Sequence, residues 1–404
     1  MVSETSAPEP VPAAAWRMLA LGVLAQVAGT YLWTAPAYLI PLLHLDRGLP
    51  LTSAGLIAAA PTVGAVLSLV IWGMVTDRYG ERRTLTGGLL LAAVSATAAA
   101  IVSGYVALGV ILVFCGAAGV SPNSASGRVV AAWFPKSRRG LAMGIRQMAQ
   151  PLGVAIAALT VPALAASAGI WAPFAVAAAL TSTAAVMCSV GVRSAPRSRT
   201  AAATALAERN PYRASRFLAR IHALSVLLVI PQFTLSTFGL VWLITAVHWS
   251  ATAAGAAVAA SQLVGAFGRI AVGVASDRLG SRTRLLRWVA AAGVLSMLAL
   301  AGAGVLRWPA ACALLLVIAS TISVADNGLA FTSVAEASGP LWAGRALGIQ
   351  NTGQFLAASA VGPGIGALIT AAGYPTAFAV VALMPALAWP LVPRRDAHWD
   401  SENT

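Results

Sequence analysis

Charge is what this sequence has least of. Only 9% of its 404 residues are Asp, Glu, Lys or Arg, where a soluble domain carries roughly a quarter, and that deficit excludes an ordinary globular protein. Cysteine is nearly missing as well. Cys115, Cys188 and Cys312 stand apart inside apolar stretches, at no spacing that suits a metal or a disulfide framework, and read as small buried hydrophobes. The histidines are four, His44, His222, His248 and His398, scattered at the ends of apolar runs, which leaves no His-based metal or acid–base site. No Gly-rich loop with a following Lys is present, so an ATP site is excluded. Neither enzyme chemistry nor a cofactor is expected.

What is abundant is apolar surface. Hydrophobic residues make up 59% of the chain and the mean hydropathy is +0.81. The apolar runs are continuous and about 20 residues long, the length of a helix that crosses a bilayer; barrel strands are roughly ten residues of alternating polarity. In lipid each helix satisfies its own backbone. Twelve runs can be placed, near 16–43, 53–75, 84–104, 107–132, 141–166, 169–191, 221–248, 252–275, 286–306, 309–335, 345–371 and 374–393. The net charge of +14 comes from basic residues clustered between these runs, with no solvated stripe interleaved with aromatics, so nucleic acid is excluded as a partner.

The placement of those basic residues orients the chain. With both termini in the cytoplasm, the outer loops carry only Arg47 and Arg307, and the inner side carries the rest, including Arg78, Arg82, Arg83, Lys136, Arg138, Arg139, Arg278, Arg282, Arg284, Arg394 and Arg395, as the positive-inside rule requires. The expected organisation is a cytosolic tail over 1–15, a six-helix bundle over 16–192, a linker over 193–220, a second six-helix bundle over 221–393 and a tail over 394–404. The first tail has no basic region, so the first helix reads as retained and not as a signal peptide. The linker holds Arg193, Arg197, Arg199, Arg209, Arg213, Arg216 and Arg220 against Glu208 and reads as a solvated segment lying on anionic headgroups.

An internal repeat underlies the two bundles. Gly73-Met74-Val75-Thr76-Asp77-Arg78-Tyr79-Gly80-Glu81-Arg82 recurs about 200 residues later as Gly273-Val274-Ala275-Ser276-Asp277-Arg278-Leu279-Gly280-Ser281-Arg282. Gly140-Leu141-Ala142-Met143-Gly144-Ile145 recurs as Gly344-Arg345-Ala346-Leu347-Gly348-Ile349, and at nearly the same offset Gln150 pairs with Gln354 and Asn123 with Asn327. Gly80 and Gly280 permit a tight reversal between helices, and Gly73 and Gly273 permit close helix approach. Asp77 is placed to meet a helix N-terminus or a neighbouring Arg. This pattern resembles the signature loop of the major facilitator superfamily between helices two and three, with its weaker copy between helices eight and nine. The resemblance covers essentially the whole chain. It implies an all-α membrane protein of twelve transmembrane helices, a monomer, alternating access around a cavity between the halves, and gating roles for Gly73, Asp77, Arg78, Gly80, Arg82, Asp277, Arg278 and Arg282.

Ionisable residues inside a membrane are candidates for function, since each costs roughly 2.5–3.5 kcal/mol on insertion scales. Arg269 lies inside the eighth run and Asp326 inside the tenth; Arg146 lies one turn into the fifth, a depth from which it can reach the interface, and Arg128 and Glu336 lie near run ends. Two guanidiniums against one carboxylate favour an anionic substrate, because Arg grips a carboxylate or phosphate through two parallel bonds. Asp326 is a candidate for a coupling proton, or else a static partner of an Arg or of Asn327. Gln147, Gln150, Gln354, Asn123, Asn327, Asn351, Gln26, Gln232 and Gln262 supply neutral hydrogen-bonding groups, and Tyr31, Tyr38, Trp33, Phe233, Phe238 and Trp242 supply aromatic walls. Each is at least as compatible with packing as with a ligand.

The stretch Gly265-Ala266-Phe267-Gly268-Arg269-Ile270 is similar to helix eight of the monocarboxylate and oxalate/formate-type branch, which implies carboxylate recognition by Arg269. Trp133 to Gly144 resembles that branch's loop before helix five, a loop shared with nitrate and sugar-phosphate carriers. Drug/proton antiporters are the competing group: where they usually carry an Arg in helix four this chain has Leu112, and their Gly-Pro-x-x-Gly-Gly signature is here Gln150-Pro151-Leu152-Gly153-Val154. The reading is a carrier in a bacterial inner membrane that moves a small organic anion, a carboxylate, with a proton. Its substrate-binding candidates are Arg269, Arg146, Gln147, Gln150, Asn123, Gln232, Asn327, Gln354 and Tyr31. The alternative is an exporter of hydrophobic or cationic compounds.

Overall fold

A backbone in hydrocarbon has no water to bond, so the long apolar runs become helices. The structure, a computed structural model, describes residues 11–40, 42–193, 210–339 and 341–397. Among the described residues, eleven helical stretches are long and apolar enough to cross a membrane: α1 Ala13–Leu39, α2 Ser53–Tyr79, α3 Glu81–Ile101, α4 Tyr105–Trp133, α5 Lys136–Ala168, α6 Trp171–Gly191, α7 Phe217–Thr245, α8 Ala253–Leu279, α9 Arg282–Leu306, α10 Pro309–Ser338, and a 49-residue stretch Ala343–Leu391. The last is two spans. Gly373 breaks it with φ 79° and ψ 167°, a conformation that glycine enters without a Cβ penalty, giving α11 over 343–372 and α12 over 374–391. The result is twelve membrane helices in two homologous six-helix bundles.

Both halves pack in the same way. In the first, α2 lies against α4, α3 against α6, and α1 against α5 and α6; in the second, α8 lies against α10, α7 against α11, and α9 against α10 and α12. The duplication extends to distortions. Helix α4 breaks at Val120 (φ −89°, ψ −1°) and α10 at Val324 (φ −103°, ψ −7°), both next to the Asn of a repeat pair, Asn123 or Asn327. Peripheral helices turn leucines and valines outward to lipid: Val94 is 67% exposed, Val190 81% and Leu295 69%, which a soluble protein could not sustain.

One end of the molecule, the basic face, collects the charge. Arg78, Arg82, Arg83, Lys136, Arg138, Arg278 and Arg284 are exposed there. The linker residues 194–209 and both extreme termini lie outside the described residues. Beyond α12 the chain folds back along the basic face. Arg220 donates to the carbonyls of Leu391, Pro390 and Val392, and Asp396 accepts from the backbone N–H groups of Arg282 and Thr283 at 3.1 and 2.8 Å.

Candidate functional site

The halves meet along α2–α11 and α5–α8, and near the basic face they meet backbone to backbone. Gly140 and Gly144, one turn apart on α5, face Gly273 and the Arg269 carbonyl of α8; Gly344 and Gly348 on α11 face Gly73 and the Leu69 carbonyl of α2. A Cβ on any of the four would meet main chain, so each seam uses a small-x-x-x-small pattern to bring helices together.

Each seam ends in a carboxylate on a helix N-terminus. Asp77 accepts from the N–H groups of Gly344 and Arg345 at 2.8 and 2.9 Å, and Asp277 accepts from those of Gly140 and Leu141 at 2.9 Å each. Both oxygens thus satisfy N–H groups that a helix leaves unpaired, and the negative charge complements the helix dipole. The second seam is reinforced. Arg282 donates to Asp277 Oδ1 and Ser276 Oγ at 2.6 Å each, to the Lys136 carbonyl at 2.9 Å, and to Glu336 at 3.4 Å. Arg345 Nε lies 3.5 Å from Asp77 in the first. Arg78, Arg82 and Arg278 are exposed on the basic face, and Gly80 and Gly280 form the turns at φ 84° and 62°.

Past these seams the halves part around a cavity of about 510 Å³. Its lining runs from Arg269, Gln147 and Asn351 at mid-membrane to Trp33, Tyr38, Ser236 and Val258, residues toward the face opposite the basic one. Among the described residues Arg269 is the one charged side chain on its wall. That guanidinium is 7% exposed. It donates from Nη1 to the Gln147 carbonyl at 3.0 Å across the seam, while its buried Nε has no partner.

Eight carboxamides share the wall. Asn327 donates to Gln232 Oε1 at 2.8 Å, and Gln354 donates to Asn327 Oδ1 at 2.9 Å and to Ser225 Oγ at 2.8 Å. Gln26 accepts from Ser126 at 3.2 Å, Gln147 accepts from Arg146 at 2.6 Å, and Asn351 donates to the Leu347 carbonyl at 2.8 Å. Gln150 and Gln262 complete the set. Of the aromatic candidates, Trp33, Tyr38 and Phe233 line the cavity. Trp242, 1% exposed, packs edge-on against Phe378, and Phe238 lies against Gly366.

Three substrate-binding candidates stand behind the wall. Arg146 is 1% exposed. Its guanidinium fans over the Asn123 carbonyl, Ser126 Oγ and Gln147 Oε1 and lies 5.4 Å from the centre of the Phe331 ring. Asn123 is therefore used through its backbone, and Tyr31 is fully buried with Thr160 donating to its hydroxyl at 3.4 Å. Sequence places Arg146 about one turn into its run and Arg269 deeper in its own. What separates them in the structure is hydrogen bonding: Arg146 donates to Asn123, Ser126 and Gln147 of its own half, whereas Arg269 stands on the cavity wall. Asp326 also faces away from the central cavity, toward a small void of about 10 Å³ with Ser296, Ser323, Pro231 and Pro385. Its Oδ2 is buried without a partner. Arg269 attracts it electrostatically, yet no ion pair within 4 Å joins them.

Phe331 and Phe355 line the cavity, and sequence reasoning passes over both; Phe331 lies one turn after Asn327 on α10, a spacing that could have flagged it. A second cluster without a sequence signal joins Tyr212, His222 and Gln350. Tyr212 and His222 lie 2.9 Å apart, and His222 Nδ1 bonds Gln350 Oε1.

Comparison with known proteins agrees with this architecture. The Major Facilitator Superfamily profile matches residues 21–360. An uncharacterised MFS-type transporter of Mycobacterium tuberculosis is 46% identical over 359 residues, covering 89% of this chain and 80% of that protein. A hexuronate transporter of Bacillus subtilis is 32% identical over 117 residues, 29% of this chain and 28% of that one. The structure of the proton:xylose symporter bound to 6-bromo-6-deoxy-D-glucose superposes with a TM-score of 0.78 at 15% identity, covering 98% of this chain and 99% of that one. A cavity between two sealed, duplicated bundles is transport machinery and not an enzyme's active site, and this chain belongs to the Major Facilitator Superfamily.

Proposed function

We propose that this transporter moves a small organic anion, a carboxylate, by alternating access with a proton as coupling ion. The observation that carries this is Arg269: a buried, always-charged guanidinium on a wall with no carboxylate among the described residues, and with a single hydrogen bond to them. A charge held at that depth without a direct counterion favours a ligand that supplies one. A lipophilic cation would find no acid on the wall and one guanidinium to repel it. The hexuronate carried by one partial relative is itself a carboxylate, in keeping with the reading, as is the resemblance of Gly265 to Ile270 to the monocarboxylate and oxalate/formate-type branch.

The positive-inside rule makes the basic face cytoplasmic. The two carboxylate latches then seal the inner side, and the cavity opens outward. Gly73, Asp77, Gly80, Asp277 and Arg282 form the gate that has to part for release, with Arg78, Arg82 and Arg278 flanking it. The family resemblance makes the unit a monomer, and the mycobacterial relative fits a bacterial inner membrane. Asp326 is the proton carrier in this reading, and its coupling follows from charge: an anion bound to Arg269 offsets a positive charge that opposes protonation nearby, so anion and proton binding assist each other.

The test is thermal stabilisation of the purified carrier by small carboxylates, phosphates and lipophilic cations, since a ligand that binds only the folded state raises the apparent Tm. Stabilisation by carboxylates, lost in Arg269→Gln with the unliganded Tm unchanged, is expected. Stabilisation by lipophilic cations alone, untouched by that substitution, would sink the anion reading.

A further inference from the structure

The identity of the polar groups left unused on the cavity wall narrows the substrate class. Six of the eight carboxamides are engaged in hydrogen bonds with the protein. The two remaining, Gln150 and Gln262, line the cavity with none of the hydrogen bonds the others make. Their positions are not arbitrary. Gln262 and Arg269 are seven residues apart on α8, two turns along one face, which is about 10 Å of rise. Helix α5 runs antiparallel beside α8, and Gln147, whose carbonyl Arg269 touches, sits one turn below Gln150. Both free carboxamides therefore lie on the same side of Arg269, toward the open face, one from each half.

A ligand entering from that face meets a cation at the bottom and, within about 10 Å, two side chains that each offer both a donor and an acceptor. Hydroxyl groups match that demand, because each also both donates and accepts. An alkyl chain does not, since it would strip water from two carboxamides and return nothing, a cost of the order that lets polar sites reject apolar analogues. Phe331, Phe355 and Trp33, the last two in edge contact at 5.3 Å, add flat apolar surface of the kind that packs against the C–H face of a sugar ring.

We propose that the substrate is a polyhydroxylated carboxylate of sugar-acid size, its carboxylate on Arg269 and its hydroxyls read by Gln150 and Gln262. The proposal rests on the anion reading above and adds what recognises the rest of the molecule. Gln150 and Gln262 hold no protein group in place, so their removal leaves the fold intact.

Binding of D-glucuronate, D-gluconate, D-glucose and hexanoate to the purified carrier, by calorimetric titration, tests it on wild type, Gln150→Ala, Gln262→Ala, the double variant and Arg269→Gln. The expected result is binding of at least one sugar acid, with hexanoate and glucose far weaker. Each Gln→Ala change should then weaken the sugar acid about five- to tenfold, with hexanoate and the unliganded Tm unmoved. Hexanoate binding as tightly as either sugar acid, and still dependent on Arg269, overturns the sugar-acid class and leaves the anion reading standing. Glucose binding as tightly as glucuronate, indifferent to Arg269→Gln, overturns both. Sugar-acid affinity unchanged in the double variant overturns the roles of Gln150 and Gln262.

Discussion

Arg146 and Arg269 show how little residue type says by itself about a job. Both are buried arginines in mid-helix, 1% and 7% exposed, and both were legible in the sequence as intramembrane charges. Arg146 spends its donors on its own bundle, whereas Arg269 has one hydrogen bond to the described residues and an unpaired Nε. The difference depends on which way each side chain faces once the two bundles are packed, and the helical pattern gives the polar face of α5 and α8 without saying whether cavity or bundle interior lies opposite it. Opposite outcomes are expected for the same conservative change. Arg146→Lys replaces a planar fork by a point charge that cannot cover three acceptors fanned around it, and should cost about 2–3 kcal/mol of stability with ligand affinity changed less than about twofold. Arg269→Lys should leave the unliganded Tm in place and weaken carboxylate binding by about tenfold or more, because the bidentate grip is lost. Thermal unfolding with and without the stabilising carboxylate reads both.

Among helices, most of the architecture was readable from hydrophobic length and from the duplication. The runs 84–104 and 107–132 place the split between α3 and α4 near residue 105, and the structure begins α4 at Tyr105 after Gly104 turns at φ 95°. Less legible was the bending inside spans. The breaks of α4 and α10 at Val120 and Val324 have local signals, Ser121-Pro122-Asn123-Ser124 after the first and Asp326-Asn327 after the second, but it is their recurrence at a matching position in each half that marks them as built features. The expectation that Asp77 would meet a helix N-terminus has a concrete partner in α11, some 267 residues away in sequence, which no local pattern could supply. Asp77→Asn keeps the hydrogen-bonding shape on one oxygen but removes the charge that the helix dipole favours, worth about 0.3–2 kcal/mol. It should shift the conformational equilibrium toward opening at the basic face by about two- to thirtyfold. Spin labels placed across the α2–α11 seam at exposed positions would report the longer distance, and an unchanged distance distribution would remove Asp77 from the gate. Asp277→Asn should do less, because Arg282 keeps Ser276, the Lys136 carbonyl and Glu336 as partners.

At the scale of the molecule, the proposed function makes the two seams, Arg269 and Asp326 parts of one balance of charge. The seams close the basic end when the latches hold, and the cavity they leave ends at Arg269, which touches Gln147 on the opposite half and so senses how the halves sit. Asp326 lies behind the wall on α10 and feels Arg269 through space. An anion in the cavity and a proton on Asp326 together leave that pair with the net charge of the empty, deprotonated state, so the loaded carrier crosses the membrane field without moving extra charge through this pair; the anion without the proton does not. Asp326→Asn fixes the neutral form. In liposomes, this variant should still exchange labelled substrate against unlabelled substrate across the membrane, since exchange needs only binding and gate motion. It should fail to accumulate substrate under an imposed proton gradient, because no proton then moves with the anion. Wild-type carrier should do both. Retained gradient-driven accumulation in Asp326→Asn would place the coupling proton elsewhere, and loss of exchange as well would show that the carboxylate serves the fold and not the coupling.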